Sequence, residues 1–246
     1  MDTVKIQGKK TKMIAHRGVS KLERENTCPA FVAAGNRSYF GIETDIQVIA
    51  DGTFVAMHDD DTARVCLNKE CADVKGGTWE SLKNVVLPDL DGTFDRQDIR
   101  IPTLADYVKI CKKYGKICIL EVKNVFSKDN LLRMVEQIKS LDYLDGVIFI
   151  SIEYENCVNL RAMLPDAKIQ FLTGQRMDGE IIKMLTSIHI DAGIDIDYGN
   201  PARNKERIDL LHSLGIEVNV CTCDDPNLAR ELIDMGADYL TTNILE

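Results

Sequence analysis

Short apolar runs alternate with amphipathic stretches along most of the 246-residue chain. Some runs, such as Val147–Ile150, are apolar at every position, which is typical of parallel strands covered on both faces. The runs predict strands at 12–16, 41–48, 117–122, 146–152, 168–173, 193–198, 216–222 and 238–242. The stretches between them predict helices at 28–37, 103–114, 129–140, 154–163, 178–187, 202–214 and 226–235. This alternation indicates an α/β protein with a (β/α)8 TIM barrel rather than an open sheet.

Two features modify the predicted barrel. The stretch 60–102 falls outside the alternation and contains residues typical of turns, namely Gly76-Gly77, Pro88, Asp91-Gly92 and Pro102. We therefore predict a single barrel domain over 1–246 with a small insertion at about 60–102, after the second strand. The sequence ends directly after the eighth strand, so we predict no full eighth helix. The N-terminal segment, a neighbouring helix or a second subunit is expected to cover that side, and a homodimer is one expectation.

Charge and composition exclude several classes of protein. The formal net charge is −9, whereas a general nucleic-acid-binding protein needs a basic surface, so we predict no nucleic-acid partner. No run of about 18 apolar residues predicts a membrane span. The eight cysteines include no Cys-x-x-Cys pair, and the N-terminus has no apolar core of a signal peptide. We expect a reducing, cytoplasmic location, although a signal peptide removed from the chain would leave the same pattern.

Carboxylates follow two of the predicted strands. Glu43 and Asp45 are two residues apart on a strand, so both point to one face. Glu121 ends the next predicted strand and shares a face with Lys123. Oxygen ligands of this kind suit a hard divalent cation such as Mg²⁺, Mn²⁺ or Ca²⁺, and the lysine suits a phosphate oxygen. The alternatives are solvated carboxylates at strand ends and a Glu121–Lys123 ion pair.

Two of the four histidines lie close to these carboxylates. His16 and His58 each follow a short apolar run. A lone histidine at a strand end is more often structural, but two that face one metal site predict an acid/base pair, because imidazole titrates near neutral pH. Arg17 follows His16 and offers a planar fork for phosphate oxygens. Gly18 permits the turn that exposes them.

The first predicted helix begins shortly after this turn. Thr27 is a suitable N-cap for the helix. Glu25 and Asn26 precede the cap, and they either orient the His16 loop or belong to the helix start.

In their order, these residues resemble the glycerophosphodiester phosphodiesterase family, from residue 14 to near residue 243. The matching segments are His16-Arg17-Gly18, Glu25-Asn26-Thr27, Gly41–Asp45, Asp51-Gly52, His58-Asp59 with Arg64 after it, Ile101–Leu104 and Leu120–Lys123. The resemblance implies a barrel that cleaves small-molecule glycerophosphodiesters to glycerol 3-phosphate and an alcohol, with one divalent cation. Mg²⁺ or Ca²⁺ is the expected cation, and Mn²⁺ is a further option. The family's insertion, which helps to cover the active site, corresponds to 60–102.

The resemblance also implies a role for each candidate residue. Glu43, Asp45 and Glu121 correspond to the metal ligands. His16 and His58 correspond to the acid/base pair. Arg17 and Lys123 correspond to the phosphate ligands.

The sequence departs from the family pattern near its C-terminus. The family usually has Val-x-Val-Trp-Thr-x-Asn near the seventh strand, whereas Cys221 and Asp224 stand here in place of the tryptophan and the asparagine. Near the end, Asn243 takes the place of a usual aspartate after Thr242. The apolar wall of the tryptophan is therefore either missing or supplied elsewhere, with Phe171 and Tyr198 as candidates. The departure concerns the glycerol or head-group side of the substrate.

Two other functions are compatible with parts of this pattern. A lipid phosphodiesterase or a lysophospholipase D-like enzyme on the same barrel would release a cyclic phosphate by intramolecular attack. No basic or aromatic amphipathic segment for membrane docking is evident, which favours soluble substrates. A non-catalytic barrel that binds phosphoesters predicts a broken set of residues, whereas all seven candidates are present.

Overall fold

The computed structural model of the protein describes residues 2–7, 10–69, 71–173, 178–195 and 205–246. Within these residues, nine strands form one sheet: β1 (Lys12–Ala15), β2 (Gly41–Val48), β3 (Phe54–Ala56), β4 (Ile117–Val122), β5 (Val147–Ser151), β6 (Lys168–Thr173), β7 (Asp191–Asp195), β8 (Val218–Cys221) and β9 (Tyr239–Thr242). All except β3 are parallel, and they close into an eight-stranded barrel because β1 pairs with both β9 and β2. The predicted TIM barrel is confirmed.

Helices connect the barrel strands. They are α1 (Cys28–Gly35), α2 (Trp79–Leu82), α3 (Leu104–Tyr114), α4 (Lys128–Ser140), α5 (Tyr154–Met163), α6 (Gly179–Ser187), α7 (Lys205–Ser213) and α8 (Pro226–Met235). All but α2 match predicted helices. Their ends follow local chemistry: α3 begins at the N-cap Thr103, whose hydroxyl accepts the N–H of Asp106, and it ends at Gly115 with a φ of 63°. Thr27 caps α1 as predicted.

Strand β7, which corresponds to the sixth predicted strand, differs most from its prediction. It begins at Asp191, whereas the sequence pattern predicts a start at 193, and residues 196–198 of the prediction lie outside the described chain. The strand begins with Asp191 and contains Gly193, two residue types that are uncommon in strands, so the sequence pattern does not indicate its start. Asp191 nevertheless pairs with Gln170, and its carboxylate accepts the N–H of Glu217 at 2.9 Å.

Strand β3 and the stretch 60–102 lie outside the barrel. β3 pairs with β2 in the antiparallel direction after a turn at Gly52, where φ is 84°. An apolar cluster of its own, including Met57, Val65 and Leu87, stabilises this region. The extent of the domain and of its insertion stays a prediction.

The N-terminal segment lies against the residues that follow β9. Val4 N donates to Ile244 O at 3.1 Å, and Glu246 N donates to Val4 O at 2.8 Å. The Glu246 carboxylate accepts both the N–H and the hydroxyl of Ser38, at 2.6 and 2.7 Å. The described residues after β9, 243–246, are not helical. The N-terminal segment is thus one of the expected coverings, and the homodimer stays a prediction.

The barrel interior changes from apolar to polar along its axis. A cluster that includes Ile14, Ile119, Ile148 and Tyr239 fills the end near the amino termini of the strands. Because side chains alternate along a strand, the next inward-facing residues of β1, β2 and β4 lie at the carboxyl ends. Those residues carry the candidate chemistry.

Candidate active site

The carboxyl ends of β2 and β4 bring the three predicted carboxylates together. β2 and β4 are neighbours in a register that places Asp45 opposite Glu121. Glu43, Asp45 and Glu121 each offer one oxygen, and these oxygens all lie within 4.8 Å of one another. The side chains are buried, at 2%, 1% and 6% exposure. One oxygen each of Glu43 and Asp45 is buried without accepting a hydrogen bond, whereas Glu121 Oε1 has Lys123 Nζ as a close neighbour.

Three buried carboxylates this close cannot all be ionised without compensation. Burial, followed by the charges of Asp45 and Glu121, raises the pKa of Glu43 well above its usual value. Burial and then Asp45 raise the pKa of Glu121 to about 7. The oxygens of Glu43 and Asp45 that accept no hydrogen bond, and the all-oxygen donor set, fit a hard divalent cation.

Two cations supply part of the compensation. Lys123 Nζ lies 2.9 Å from Glu121 Oε1 and 3.5 Å from Asp45 Oδ1. Arg17 Nε lies 3.1 Å from Asp45 Oδ2. Burial opposes ionisation of Asp45, but Arg17 and Lys123 outweigh it and lower the pKa of that carboxyl. Both predicted phosphate ligands therefore lie at the carboxylate cluster.

His16 is positioned by the closure of the barrel between β1 and β9. Its N–H donates to Thr242 O at 2.8 Å, and its Nδ1 lies 2.8 Å from Asn243 Oδ1. Its Nε2 lies 3.9 Å from Glu43 Oε2. Burial, and then the charge of Arg17, lowers the pKa of His16. The turn requires Gly18, which has a φ of 79° and would place a Cβ 2.6 Å from the backbone of Ala30.

His58 is held by a carboxylate next to it. His58 Nδ1 lies 2.6 Å from Asp59 Oδ1, and the other oxygen of Asp59 accepts Arg64 Nε at 2.6 Å. Gln47 fixes the loop, since its Nε2 donates to the carbonyls of residues 57, 58 and 59 at 3.0, 3.1 and 2.8 Å. The imidazole is about one-third exposed, at 33%.

An ion network joins the His16 loop to the His58 loop. Glu25 Oε1 accepts from both Arg17 and Arg64 at 2.8 Å, and its Oε2 accepts from Arg64 at 2.9 Å. Burial opposes the charge of Glu25, but these hydrogen bonds and charges lower its pKa to about 2. Asn26 donates to Asp45 Oδ2 at 2.8 Å. The structure thus favours the expectation that Glu25 and Asn26 orient the site.

Asn243 and Asp224 contribute contacts that the sequence did not predict. Asn243 Nδ2 donates to Asp224 Oδ2 at 2.8 Å, and Lys21 Nζ lies 2.9 Å from the same oxygen. The sequence shows both residues only as departures from a pattern. The family pattern has an asparagine at position 224 and an aspartate at position 243, whereas this chain has Asp224 and Asn243. This paired exchange is the sequence signal that the two side chains are in contact.

Across the mouth from the carboxylates, the described residues that line the central cavity are uncharged. Together with His16, Glu43 and Glu121 they surround a cavity of about 30 Å³, and they are Ile150, Gln170, Leu172, Gly193, Asn219, Cys221 and Thr241. Asn219 donates to Gln170 Oε1 at 2.9 Å, and Thr241 donates to Asn219 Oδ1 at 3.1 Å. A cavity of this size holds about one water molecule.

Phe171 does not replace the missing tryptophan. Gln170 and Leu172 face the cavity, so Phe171 between them points outward to the helices. It packs edge to face on Tyr154, with ring centroids 5.4 Å apart. The expectation for Phe171 is therefore wrong, because an apolar run does not reveal which residues face inward. Tyr198 lies outside the described residues.

A second cavity, of about 520 Å³, opens at the amino ends of the strands beside Lys12, Phe40 and Tyr239. Among the described residues that line it there is no histidine and no cluster of buried carboxylates. It is therefore not the candidate active site.

The fold and the carboxylate–histidine cluster define a (β/α)8-barrel enzyme, because active sites of this fold lie at the carboxyl ends of its strands. The chain belongs to the glycerophosphoryl diester phosphodiesterase family, whose model matches residues 16–246. The resemblance seen in the motifs is confirmed. No helix in the described part of the chain combines the length and apolar character needed to cross a membrane.

Individual relatives agree with the family. A glycerophosphodiester phosphodiesterase from Caldanaerobacter subterraneus subsp. tengcongensis is 32% identical over 167 residues, which cover 66% of this chain and 67% of that protein. One from Bacillus altitudinis is 25% identical over 95% of this chain and 94% of its own length. A solved phosphodiesterase from Oleispira antarctica, in complex with the product sn-glycerol 3-phosphate, has a TM-score of 0.83 and 22% identity, and the match covers 94% of this chain and 92% of that chain.

Proposed function

We propose that this protein hydrolyses glycerophosphodiesters to glycerol 3-phosphate and an alcohol, with one divalent cation held by Glu43, Asp45 and Glu121. The observation that carries the proposal is the trio of buried carboxylate oxygens within 4.8 Å of one another. Membership of the family and the glycerol 3-phosphate product of the Oleispira relative support the substrate class. Mg²⁺ or Ca²⁺ is the proposed cation, with Mn²⁺ as a third candidate.

The chain's own residues divide the remaining work. When bound, the cation supplies charge for a phosphate oxygen and lowers the pKa of an oxygen ligand. Arg17 and Lys123 stabilise the negative charge that develops on the phosphate. One histidine of the pair His16 and His58 removes a proton from the attacking hydroxyl, which belongs to water or to the substrate's glycerol. The other protonates the leaving alcohol. Where the glycerol attacks, water must then open the resulting cyclic phosphate to give glycerol 3-phosphate.

Cellular context is part of the same proposal. The substrates are small glycerophosphodiesters of glycerol and lipid metabolism, and the protein has no nucleic-acid partner. We place it in the cytoplasm. All eight cysteines lie in the described part of the chain, where they form no disulfide, and five of them are buried, which supports a reducing compartment.

The test is a panel of glycerophosphodiesters assayed with Mg²⁺, Mn²⁺, Ca²⁺ or EDTA, with the products followed by phosphorus NMR. We expect turnover of glycerophosphocholine or a close analogue, release of glycerol 3-phosphate, and complete loss with EDTA. A cyclic phosphate end product would indicate the lipid phosphodiesterase or lysophospholipase D-like alternative. Binding of phosphoesters without turnover under any metal would indicate a non-catalytic barrel.

A further inference from the structure

A chain of polar side chains lies behind His16, on the side away from Glu43. It runs from His16 through Asn243 and Asp224 to Lys21. Asp224 follows β8 and Asn243 follows β9, so the closed barrel brings them to His16 at the end of β1.

The hydrogen bonds of Asp224 fix the orientation of the Asn243 amide. Asp224 Oδ1 accepts the backbone N–H of Asn243 at 2.7 Å and the Thr242 hydroxyl at 3.0 Å. Asp224 Oδ2 accepts Asn243 Nδ2 at 2.8 Å. Burial opposes ionisation, but the Asn243 and Lys21 contacts lower the pKa of Asp224, so it is a carboxylate that only accepts. The amide NH₂ must therefore face Asp224.

The amide oxygen must then face His16. Asn243 Oδ1 lies 2.8 Å from His16 Nδ1, and Ser20 Oγ donates to the same oxygen at 2.5 Å. An amide oxygen has no proton to give, so His16 Nδ1 is the donor. The neutral ring carries its proton on Nδ1, and Nε2, the nitrogen toward Glu43, is bare.

We propose that Asp224 is a positioning residue that sets the tautomer of His16 through the amide of Asn243. Asp224 accepts hydrogen bonds from Thr242 and Asn243 and pairs with Lys21. It is linked to His16 through the amide of Asn243. This inference rests on the proposed function in one respect only, that the Nε2 of His16 exchanges the proton in the reaction. The tautomer itself is a property of the free protein.

The direct test is Asp224→Asn. The backbone N–H of Asn243 can only donate, so the amide oxygen of the new side chain at position 224 must accept from it. The NH₂ group of that side chain then points at the NH₂ group of Asn243. Asn243 relieves that contact by turning over, which places its NH₂ against His16 Nδ1 and moves the ring proton to Nε2. Long-range proton–nitrogen NMR of the four histidines should show the exchanged pattern at His16. We expect kcat to fall about 10²- to 10⁴-fold with KM little changed.

A double variant separates this effect from simple disruption. In Asp224→Asn/Asn243→Asp, the carboxylate at position 243 accepts directly from His16 Nδ1 and from the amide at 224. The proton returns to Nδ1, and kcat should recover to within about tenfold of the wild type. This variant also gives a readout where the single variant does not fold.

Asp238→Asn is the matched control. Asp238 accepts from His212 Nε2 and from Val218 N, both at 2.8 Å, so it holds a histidine at the other end of the barrel. Its removal should alter the spectrum of His212 and leave that of His16 unchanged.

Retention of the Nδ1 proton in Asp224→Asn would overturn the inference, as would a double variant that fails to restore it. Full activity of His16→Ala would instead overturn the proposed role of His16 in catalysis. The spectra and the rates thus identify which of the two ideas has failed.

Discussion

The mouth of the barrel consists of two unlike halves. The charged half, built on β1, β2, β4 and the loop that carries His58, contains three buried carboxylates, two cations and two histidines. In the other half, which we call the neutral half, the described residues of β5 to β9 that line the cavity are small, apolar and amide side chains. Preorganised charge stabilises the transition state of a reacting phosphate, whereas a neutral wall contributes shape and hydrogen bonds. We therefore propose that bond cleavage takes place at the charged half and that the neutral half recognises the rest of the substrate.

Removing one carboxylate of the charged half should have the largest effect. In Glu121→Gln, the cation loses a charged ligand and Lys123 loses its 2.9 Å partner. We expect kcat/KM to fall by at least about 10³-fold, and calorimetry should show weakened binding of Mg²⁺, Mn²⁺ and Ca²⁺. The control is Glu217→Gln, which removes a carboxylate paired with Lys168 elsewhere on the barrel. Equal losses in both variants would show that the effect of Glu121→Gln is not specific to the carboxylate cluster.

Removing either histidine of the charged half should have the next largest effect. His16→Ala and His58→Ala should each lower kcat about 10²- to 10⁴-fold, because each removes one proton transfer. Thermal unfolding should change little, since neither ring is part of the apolar core. His212→Ala is the control, because His212 pairs with Asp238 away from the site. A near-wild-type rate in either test variant would mean that the substituted histidine takes no part in proton transfer.

Most of the charged half could be predicted from the sequence. Glu43 and Asp45 are two residues apart on a strand, and that spacing alone places them on one face. The strand that carries Glu121 neighbours theirs, as the alternation of elements predicts. The pairing of His58 with Asp59 is local in sequence, so its geometry depends little on the fold.

The rest depends on contacts between residues far apart in the chain. His16 and Asn243 are 227 positions apart and meet only because β9 pairs with β1. The neutral half has no signature, because Gln170 and Asn219 are ordinary residues of strands until the barrel places them side by side. The facing of Phe171 was not predictable for the same reason. The sequence of an apolar strand does not show which of its residues face the barrel interior, because both faces are buried and the pairing register is unknown.

A rise in pH should expose the electrostatic repulsion within the charged half in the metal-free protein. Burial and Asp45 raise the pKa of Glu121 from 4.5 to about 7, so the folded state binds more protons than the unfolded state in between. The stability from this group is full below about pH 4.5 and is lost as the pH rises through about 7. We expect a loss on the order of 3 kcal/mol over that window.

Denaturant titrations of the wild type and of Glu121→Gln, both in EDTA, measure this loss. The wild type should lose unfolding free energy with rising pH, and the variant should show a flatter dependence. Added divalent cation should restore the wild type at pH 7. Identical slopes for the two proteins would contradict the raised pKa.

The neutral half should show a smaller effect, on selectivity. Cys221 stands where the family usually has a tryptophan, lines the cavity and donates to Ile194 O at 3.6 Å. A tryptophan face attracts quaternary ammonium groups by about 1–2 kcal/mol. Cys221→Trp should therefore lower KM for glycerophosphocholine relative to glycerophosphoglycerol by about tenfold, with kcat nearly unchanged.

The matched control is Cys71→Trp, which adds the same side chain at an exposed cysteine outside the barrel. It should leave both KM values unchanged. A fall in kcat for every substrate in Cys221→Trp would mean that the neutral half takes part in bond cleavage, because a residue that only selects the head group alters the ratio of KM values and not the rate of the chemical step. A changed ratio at constant kcat would place head-group selection at β8, opposite the carboxylates.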